Sequence, residues 1–164
     1  MKALEPPALL HLESAKGWHI LGCLDEALAD LQRIPPEFQT HPDVLEVHFA
    51  VHAQAKKWVI CMEIAAAMLD LAPERPTTWI NSAFTLHEMK QTQEAWDALV
   101  TVQDRFPDVP TIPYNLACYA CQLGRLDDAR TLLKRAFQIG GSGYRELALE
   151  DGDLKPLWEE IKHM

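Results

Sequence analysis

A strict 34-residue repeat constrains this chain more than any other feature of its sequence. Cut at residue 8, the sequence divides without insertion or deletion into 8–41, 42–75, 76–109 and 110–143. A fixed period of this length is typical of helical solenoids. Small residues recur at the eighth and twentieth positions of these lines: Ala15, Ala27, Cys61, Ala83, Ala95, Ala117 and Ala129. Since two antiparallel helices approach closely at small residues, each line is predicted to form one helical hairpin.

Helix-breaking residues divide the lines in a consistent way. Gly22 and Gly124 fall near the middle of their lines. Other breakers fall between lines: Pro35, Pro36, Pro73, Pro76, Pro107, Pro110 and the run Gly140-Gly141-Ser142-Gly143. Glycine and proline are the strongest local signals for the end of a helix. The first helix of each hairpin, helix A, is therefore predicted over about the first fourteen positions, and helix B from about the seventeenth to the thirtieth.

This pattern resembles the tetratricopeptide repeat (TPR) family over residues 8–143, most clearly in the third and fourth lines. The resemblance implies an all-α fold, a right-handed α-solenoid of four helix-turn-helix repeats. Three residues depart from the family pattern, because His11, Leu45 and Pro113 stand where the family usually has tryptophan. The second line is the loosest match.

The two ends of the chain lie outside the repeats. Residues 1–7 are predicted to be a short lead-in, and residues 144–164 a C-terminal helical cap that covers the apolar face of the last hairpin. In that cap we expect a short fifth A-type helix and a final turn or two capped by Asp153. The segment from Asp153 to Leu157 is similar to the tails of bacterial TPR proteins, which implies a bacterial source.

Composition excludes several classes of partner. The 164 residues carry a formal net charge of -9, and no cluster of Lys or Arg offsets it locally. An acidic surface repels nucleic acid and anionic membranes. The N-terminus lacks the continuous apolar stretch of a signal peptide, and no run of 18 apolar residues occurs, so a cytoplasmic location is predicted. The four cysteines are expected to be reduced thiols.

The concave face of such an array is lined by the A helices, at positions two, five, six, nine, twelve and thirteen of each repeat. We call these positions the groove stripe. Its predicted members are Leu12, Lys16, His19 and Ile20; Asp43, Glu46, Val47, Ala50 and Gln54; Thr77, Ile80, Asn81, Phe84, His87 and Glu88; and Thr111, Tyr114, Asn115, Cys118, Cys121 and Gln122. Lys16 is the one cation among them, which disfavours the Lys- and Arg-rich clamp for chaperone tails.

Two asparagines on this stripe are candidate contacts for a peptide backbone. Asn81 and Asn115 hold the same sixth position in adjacent repeats, and a carboxamide both donates and accepts hydrogen bonds. The TPR resemblance implies that they act as a ladder along an extended peptide. The alternative is a pair of solvated polar residues on an inner surface.

Apolar and acidic residues complete the predicted peptide site. Ile80, Phe84 and Tyr114 are expected to form an apolar floor beside the asparagines, unless Phe84 packs between helices as ordinary core. Glu46 and Glu88 are expected to bind any cation of the ligand. The predicted partner is thus a neutral or basic protein segment.

Histidines and cysteines raise a further alternative. His87, Cys118 and Cys121 are predicted to lie close together, and zinc accepts such ligands, although a fourth ligand is not evident. His48 and His52 are predicted to point into the second hairpin as buried residues with satisfied hydrogen bonds, which would make that repeat sensitive to pH.

The sequence contains no nucleophile motif, no phosphate-binding motif and no motif for a cofactor. We therefore predict a non-catalytic interaction scaffold that binds an extended peptide or protein segment in the TPR groove. Three alternatives remain open: a self-associating homo-oligomer or a groove filled by the chain itself, a secretion-type chaperone, and a metal or redox site at His87, Cys118 and Cys121.

Overall fold

The structure, a computed structural model, describes residues 3–164; Met1 and Lys2, at the start of the predicted lead-in, lie outside the described residues. The α-helices are α1 Pro6–Ile20, α2 Leu24–Gln32, α3 Pro42–Gln54, α4 Trp58–Leu71, α5 Pro76–Glu88, α6 Thr92–Val100, α7 Thr111–Gln122, α8 Leu126–Gly140, α9 Ser142–Glu150 and α10 Trp158–Ile161. Short 3-10 helices cover Pro36–Phe38 and Gly152–Leu157. Residues 3–164 form no strand, so the predicted all-α class is confirmed.

The chain forms two compact units, divided after Thr78. The first unit contains α1 to α4 and the first residues of α5, and its buried core joins α1, α2 and α3. Leu12 and Val47 belong to this core at 1% and 6% exposure, so their predicted place on the groove stripe is wrong. Both side chains are apolar, and the hairpins bury them because that removes more apolar surface from water.

The second unit extends from Trp79 to Met164. Its core consists of side chains from α5 to α10, and α7 with α8 forms its most extensive helix pair. Tyr119, Leu133 and Leu154 are among its largest fully buried side chains. The C-terminal segment is therefore part of the core of this unit.

The B helices repeat in strict register. They begin at Leu24, Trp58, Thr92 and Leu126, each 34 residues after the one before and each at the predicted seventeenth position. Two positions earlier the backbone is left-handed every time, with φ of 77° at Gly22, 55° at Lys56, 67° at Lys90 and 75° at Gly124. A residue in this conformation is the usual way to end a helix. The period therefore specifies the turn even where lysine replaces glycine.

Backbone hydrogen bonds complete each of these turns. The Gly22 N–H donates to the carbonyl of His19 at 3.0 Å, and the Cys23 N–H donates to that of Trp18 at 2.9 Å. The same pair of bonds recurs at the ends of α3, α5 and α7. This is the Schellman pattern, which satisfies carbonyls that the helix leaves without a partner.

Three helices differ from their predicted spans, and one of them, α2, ends at Gln32, before the break at Pro35 and Pro36. Helix α1 begins at Pro6, inside the predicted lead-in, because proline is well suited to the first turn of a helix. Helix α6 ends at Val100, earlier than predicted. The Thr101 hydroxyl donates to the carbonyl of Ala98 at 2.8 Å there, a local bond that competes with continued helix.

A buried carboxylate organises the first hairpin. Asp30, on α2, is 6% exposed and accepts hydrogen bonds from Ser14, from Trp18 Nε1 at 3.1 Å and from Arg33 at 2.9 Å. Ser14 and Trp18 donate to Oδ2, and Oδ1, which accepts from Arg33, also lies 3.5 Å from His11 Nδ1. The hydrogen bond from Ser14, more than the other contacts, lowers the pKa of Asp30. The polar His11, in the place of the family's tryptophan, thus faces a carboxylate.

The C-terminal cap begins with α9, as predicted, and then turns through the 3-10 helix Gly152–Leu157. The residue that caps this turn is Asp151, whose side chain accepts from the Asp153 N–H at 3.0 Å, so the prediction that Asp153 is the cap is wrong. The backbone turns two residues earlier than expected, and this frees the Asp153 side chain for another contact. Leu154, Leu157 and Ile161 are fully buried.

Candidate peptide-binding groove

From Ile80 onward, the groove stripe of α5 lies in the second unit. Ile80, Asn81, Phe84 and Glu88 are all partly exposed, and Ile80 also packs against the core. The carboxamide of Asn81 forms no hydrogen bond with another residue of the range 3–164. Helix α5 therefore presents apolar side chains and an amide whose donors and acceptor remain available.

The two predicted cation-binding carboxylates differ in their surroundings. Glu88 forms no ion pair within the described part of the chain. Glu46, on α3 of the first unit, lies 3.4 Å from Arg75 and accepts from the Thr77 hydroxyl at 2.6 Å. Arg75 also contacts Asp43 at 2.5 Å. The expected acidic character of the α3 stripe is therefore reduced, because one arginine neutralises part of its charge.

Residues of the C-terminal segment cover most of the stripe on α7. The Tyr114 hydroxyl donates to Asp151 at 2.8 Å, and the Cys118 thiol lies 3.5 Å from the same carboxylate oxygen. The Gln122 side chain donates to the carbonyl of Asp153 at 3.1 Å. The chain itself thus fills this part of the predicted groove.

The burial of Tyr114 follows from this cover. Its side chain is 4% exposed, and its ring meets that of Tyr144 edge-on, with the ring centres 5.5 Å apart. The Tyr144 hydroxyl is hydrogen bonded to that of Thr111 at 2.6 Å. A ligand can therefore touch Tyr114 only after the residues around Asp151 move away. Asn115, the next residue, remains partly exposed.

His87, at the end of α5, joins the third hairpin to the cap. Its Nε2 lies 2.8 Å from Asp153 and its Nδ1 3.0 Å from the Thr92 hydroxyl. Because an ionised carboxylate only accepts hydrogen bonds, Nε2 carries the proton. The ring is 8% exposed and lies against Tyr119, with the ring centres 4.9 Å apart. Both nitrogens are therefore occupied by residues of the chain.

Comparison with known proteins gives structural neighbours only. The sequence matches no protein-family model and no curated protein. The structure of TTC0263, a thermophilic TPR protein of Thermus thermophilus, aligns with a TM-score of 0.75 at 14% identity and covers 96% of this chain and 100% of that one. The chain has a TPR fold. MamA 41-end from Desulfovibrio magneticus RS-1 aligns at 0.71 and 18% identity, over 98% of this chain and 94% of that one. MamA MSR-1 aligns at 0.63 and 16%, over 81% and 76%.

Within the TPR fold, the metal alternative loses its support. Burial, more than the nearby Asp151, raises the pKa of the Cys118 thiol well above its usual range, and burial also raises that of Cys121. Burial thus favours the neutral thiols of both cysteines, and a metal would have to displace their protons. Among residues 3–164, no group of three or more His, Cys, Asp or Glu side chains has the arrangement of a metal site.

The histidines of the second TPR hairpin are partly buried. The rings of His48 and His52 stack, with their centres 6.1 Å apart and 15° between their planes. Burial is the main cause that lowers the pKa of both, and each also has a second positive group nearby, His52 for His48 and Lys57 for His52. The Nδ1 of His52 is buried without a hydrogen-bond partner in the described chain, so the expectation that both are satisfied is wrong.

Two features of the site lie outside what the repeat pattern predicts. Arg75 is the last residue of its line, and Asp151 follows α9, outside the repeats. Their partners are 29 to 37 residues away in sequence. In the sequence, only residue type signals these contacts: carboxylates without an evident partner lie on the stripe, and two aspartates lie beside a turn in the cap.

None of the helices formed by residues 3–164 has the length and apolar character needed to cross a bilayer.

Proposed function

We propose that this chain is a non-catalytic TPR scaffold that binds an extended protein segment along the groove stripe of α5. Asn81 and Asn115 bind the backbone of the ligand, and Ile80 and Phe84 contact its apolar side chains. Glu88 pairs with a lysine or arginine of the ligand. The partner is thus a neutral or basic segment of another protein.

One observation carries the proposal: a stripe of this kind already holds a piece of polypeptide. Tyr114, Cys118 and Gln122 occupy positions five, nine and thirteen of the fourth repeat, and all three contact Asp151 or Asp153 of the cap. Tyr114 and Cys118 contact the carboxylate of Asp151, and Gln122 contacts the backbone carbonyl of Asp153. Helical surfaces that combine backbone contacts with side-chain recognition bind peptides in many protein complexes.

The equivalent positions of α5 favour a ligand of different chemistry. Ile80, Phe84 and Glu88 lie 34 residues before Tyr114, Cys118 and Gln122. A phenol, a thiol and an amide suit the acidic cap, whereas two apolar side chains and a carboxylate suit an apolar segment that carries a cation. Charge complementarity of this kind selects the partner more than it raises affinity.

Tyr114 and Glu46 have conditional roles in this proposal. Tyr114 joins the apolar floor only when the cap residues around Asp151 are displaced by the ligand. Glu46, taken within the first unit alone, binds a cation only in competition with Arg75, because the two already lie 3.4 Å apart. The α5 residues therefore make the main contribution.

A peptide selection with the full chain as bait tests the proposal. A random library of extended peptides is selected on the full chain, and the winners are titrated into isotopically labelled protein. We expect peptides with spaced apolar residues and at least one Lys or Arg, and the largest amide shifts on α5 between Ile80 and Glu88. Selected peptides that shift only α6 and α8 amides would contradict the proposed site.

A further inference from the structure

Helix α1 of the first unit is apolar on the side that faces away from its core. Leu10, Ile20 and Leu21 are 72%, 81% and 71% exposed, and Leu9 is 41% exposed. The opposite side of the helix is buried through Ala8, Leu12 and Ala15. Large exposed apolar patches on proteins mark interaction sites. The outer face of α1 therefore lacks a cover that its composition calls for.

Gly17 lies in the middle of this face. It sits in the interior of the helix, where glycine is less stable than alanine. A Cβ atom added there would meet nothing within 4 Å, so packing inside the unit gives no reason for glycine. A residue without a side chain in the centre of an exposed apolar face allows another helix to approach closely. The missing Cβ thus points to a contact outside the chain.

Along this face, the order of large and small residues is the same from either end of the helix. Leu10, Ser14, Gly17 and Leu21 follow one another at intervals of four, three and four, with small residues in the middle and leucines at the ends. These intervals place them on one side of a helix. In an antiparallel pair of such helices, Leu10 of one copy meets Leu21 of the other, and Ser14 meets Gly17. The pattern is self-complementary, as a two-fold contact requires.

The charge of the face also suits a second copy. Its acidic residue, Glu13, forms an ion pair with Lys16 at 2.7 Å, so the central part of the face carries little net charge. The whole chain has a formal net charge of -9, and two copies repel each other over most of their surface. A face with little net charge is where that repulsion is weakest.

The area matches a weak dimer. At roughly 30 Å² per aliphatic carbon, the exposed parts of Leu9, Leu10, Ile20 and Leu21 present about 320 Å² per copy and about 640 Å² in a pair. Specific interfaces begin at about 1,200 Å² in total, of which somewhat more than half is apolar. The apolar area of the face therefore comes close to the lower end of this range.

We infer that two copies of this chain form a two-fold dimer through the outer faces of their α1 helices, packed antiparallel at Gly17. The interface is independent of the proposed peptide site on α5. A dimer of this kind presents two peptide sites on one particle, so it strengthens the binding of a partner that carries two ligand segments.

Sedimentation of the full chain over a dilution series, from about 1 to about 200 μM, tests the dimer. We expect the mean mass to rise from monomer towards dimer with a micromolar dissociation constant. Ile20→Glu and Gly17→Leu should remain monomeric throughout. Val59→Glu replaces an apolar residue of α4 that is 67% exposed, and it should dimerise like the wild type. A wild type that stays monomeric, or an Ile20→Glu variant that still dimerises, overturns the inference.

Two further variants test the helix orientation and the role of glycine. Leu10→Lys alone should abolish the dimer, and adding Leu21→Glu should restore part of it, because antiparallel packing brings the opposite charges together. Gly17→Ala should raise the melting temperature of the dilute monomer and weaken the dimer at least tenfold. Equal or tighter dimers with Gly17→Ala, or no recovery in the double variant, would contradict the packing.

Discussion

The imidazole of His87 donates a hydrogen bond to the carboxylate of Asp153 across 2.8 Å, between the third TPR hairpin and the C-terminal cap. The two residues are 66 positions apart in sequence. This contact, with those of Asp151 on α7, keeps the cap residues on the groove stripe. The last repeat is thus covered by the chain itself, while the α5 stripe one repeat earlier remains partly exposed.

Removing this contact should loosen the cap. We expect His87→Ala to lower the free energy of unfolding by about 1 to 2 kcal/mol, because the partly buried Asp153 and Thr92 lose their shared partner. Hydrogen exchange of the Gly152–Leu157 amides should become faster. Urea unfolding and exchange measurements check this, with the exposed His163→Ala as a control that should change little. Unchanged exchange in His87→Ala would show that the cap is held without it.

The left-handed lysines should be sites where glycine stabilises the protein. Lys56 and Lys90 adopt φ of 55° and 67°, a conformation that costs a residue with a side chain about 1 kcal/mol. We expect Lys56→Gly and Lys90→Gly each to raise stability by roughly 0.5 to 1 kcal/mol. Gly124→Ala, at the equivalent position, should lower it by a similar amount. Thermal unfolding of the wild type and the three variants tests this prediction. A loss of stability in both lysine variants would contradict the left-handed conformation assigned to Lys56 and Lys90.

These turns illustrate what the sequence could predict. The 34-residue period predicts the seventeenth-position start of helix B, and Gly22 and Gly124 indicate the turn before it. Lys56 and Lys90 give no such signal by residue type, and only their place in the period identifies them. Local chemistry and repeat register therefore specify the hairpins.

The contacts that cover the groove stripe could not be predicted from the repeat period. The repeat pattern assigns Tyr114 to the groove because every A helix is treated alike, yet the last A helix meets the cap. The place of Asp151 depends on where a non-repeating segment turns, and no period describes that. The Arg75 contacts with Asp43 and Glu46 likewise join residues that the pattern treats separately.

Acid should destabilise the second hairpin first. Burial lowers the pKa of His48 and His52, so the unfolded chain takes up their protons at higher pH than the folded one. The resulting stability is complete above the ordinary histidine pKa and is lost as the pH falls below it towards the lowered values. Urea unfolding between pH 7.5 and 5 should show this decline, and His52→Leu should make it shallower. The same slope in His52→Leu would exclude His52 as its source.

The buried Asp30 should be the most sensitive carboxylate of the first unit. Asp30→Ala removes the shared acceptor of Ser14, Trp18 and Arg33, and we expect a loss of about 2 to 4 kcal/mol. Asp25→Ala, on the exposed side of the same helix, should change stability by less than about 0.5 kcal/mol. Denaturant unfolding checks both variants, and equal effects would contradict the network.

The pH dependence of this network has a definite sign. Because hydrogen bonds lower the pKa of Asp30, its contribution to stability is present above the ordinary carboxyl pKa and is lost as the pH falls through the lowered value. Wild type and Asp30→Asn should therefore differ most at neutral pH and converge in acid. A difference that grows towards low pH would contradict the assignment.

The affinity of a selected peptide for the Asn81→Ala/Asn115→Ala double variant shows whether the two asparagines bind the backbone of a ligand. Measured by fluorescence anisotropy on the full chain, the variant should bind at least tenfold more weakly than the wild type, with an unchanged melting temperature, since each carboxamide contributes about 1 kcal/mol or more to the bound backbone. Gln138→Ala removes an exposed amide from α8 and should bind like the wild type. Wild-type affinity in the double variant, with a peptide that shifts the α5 amides, would contradict the account.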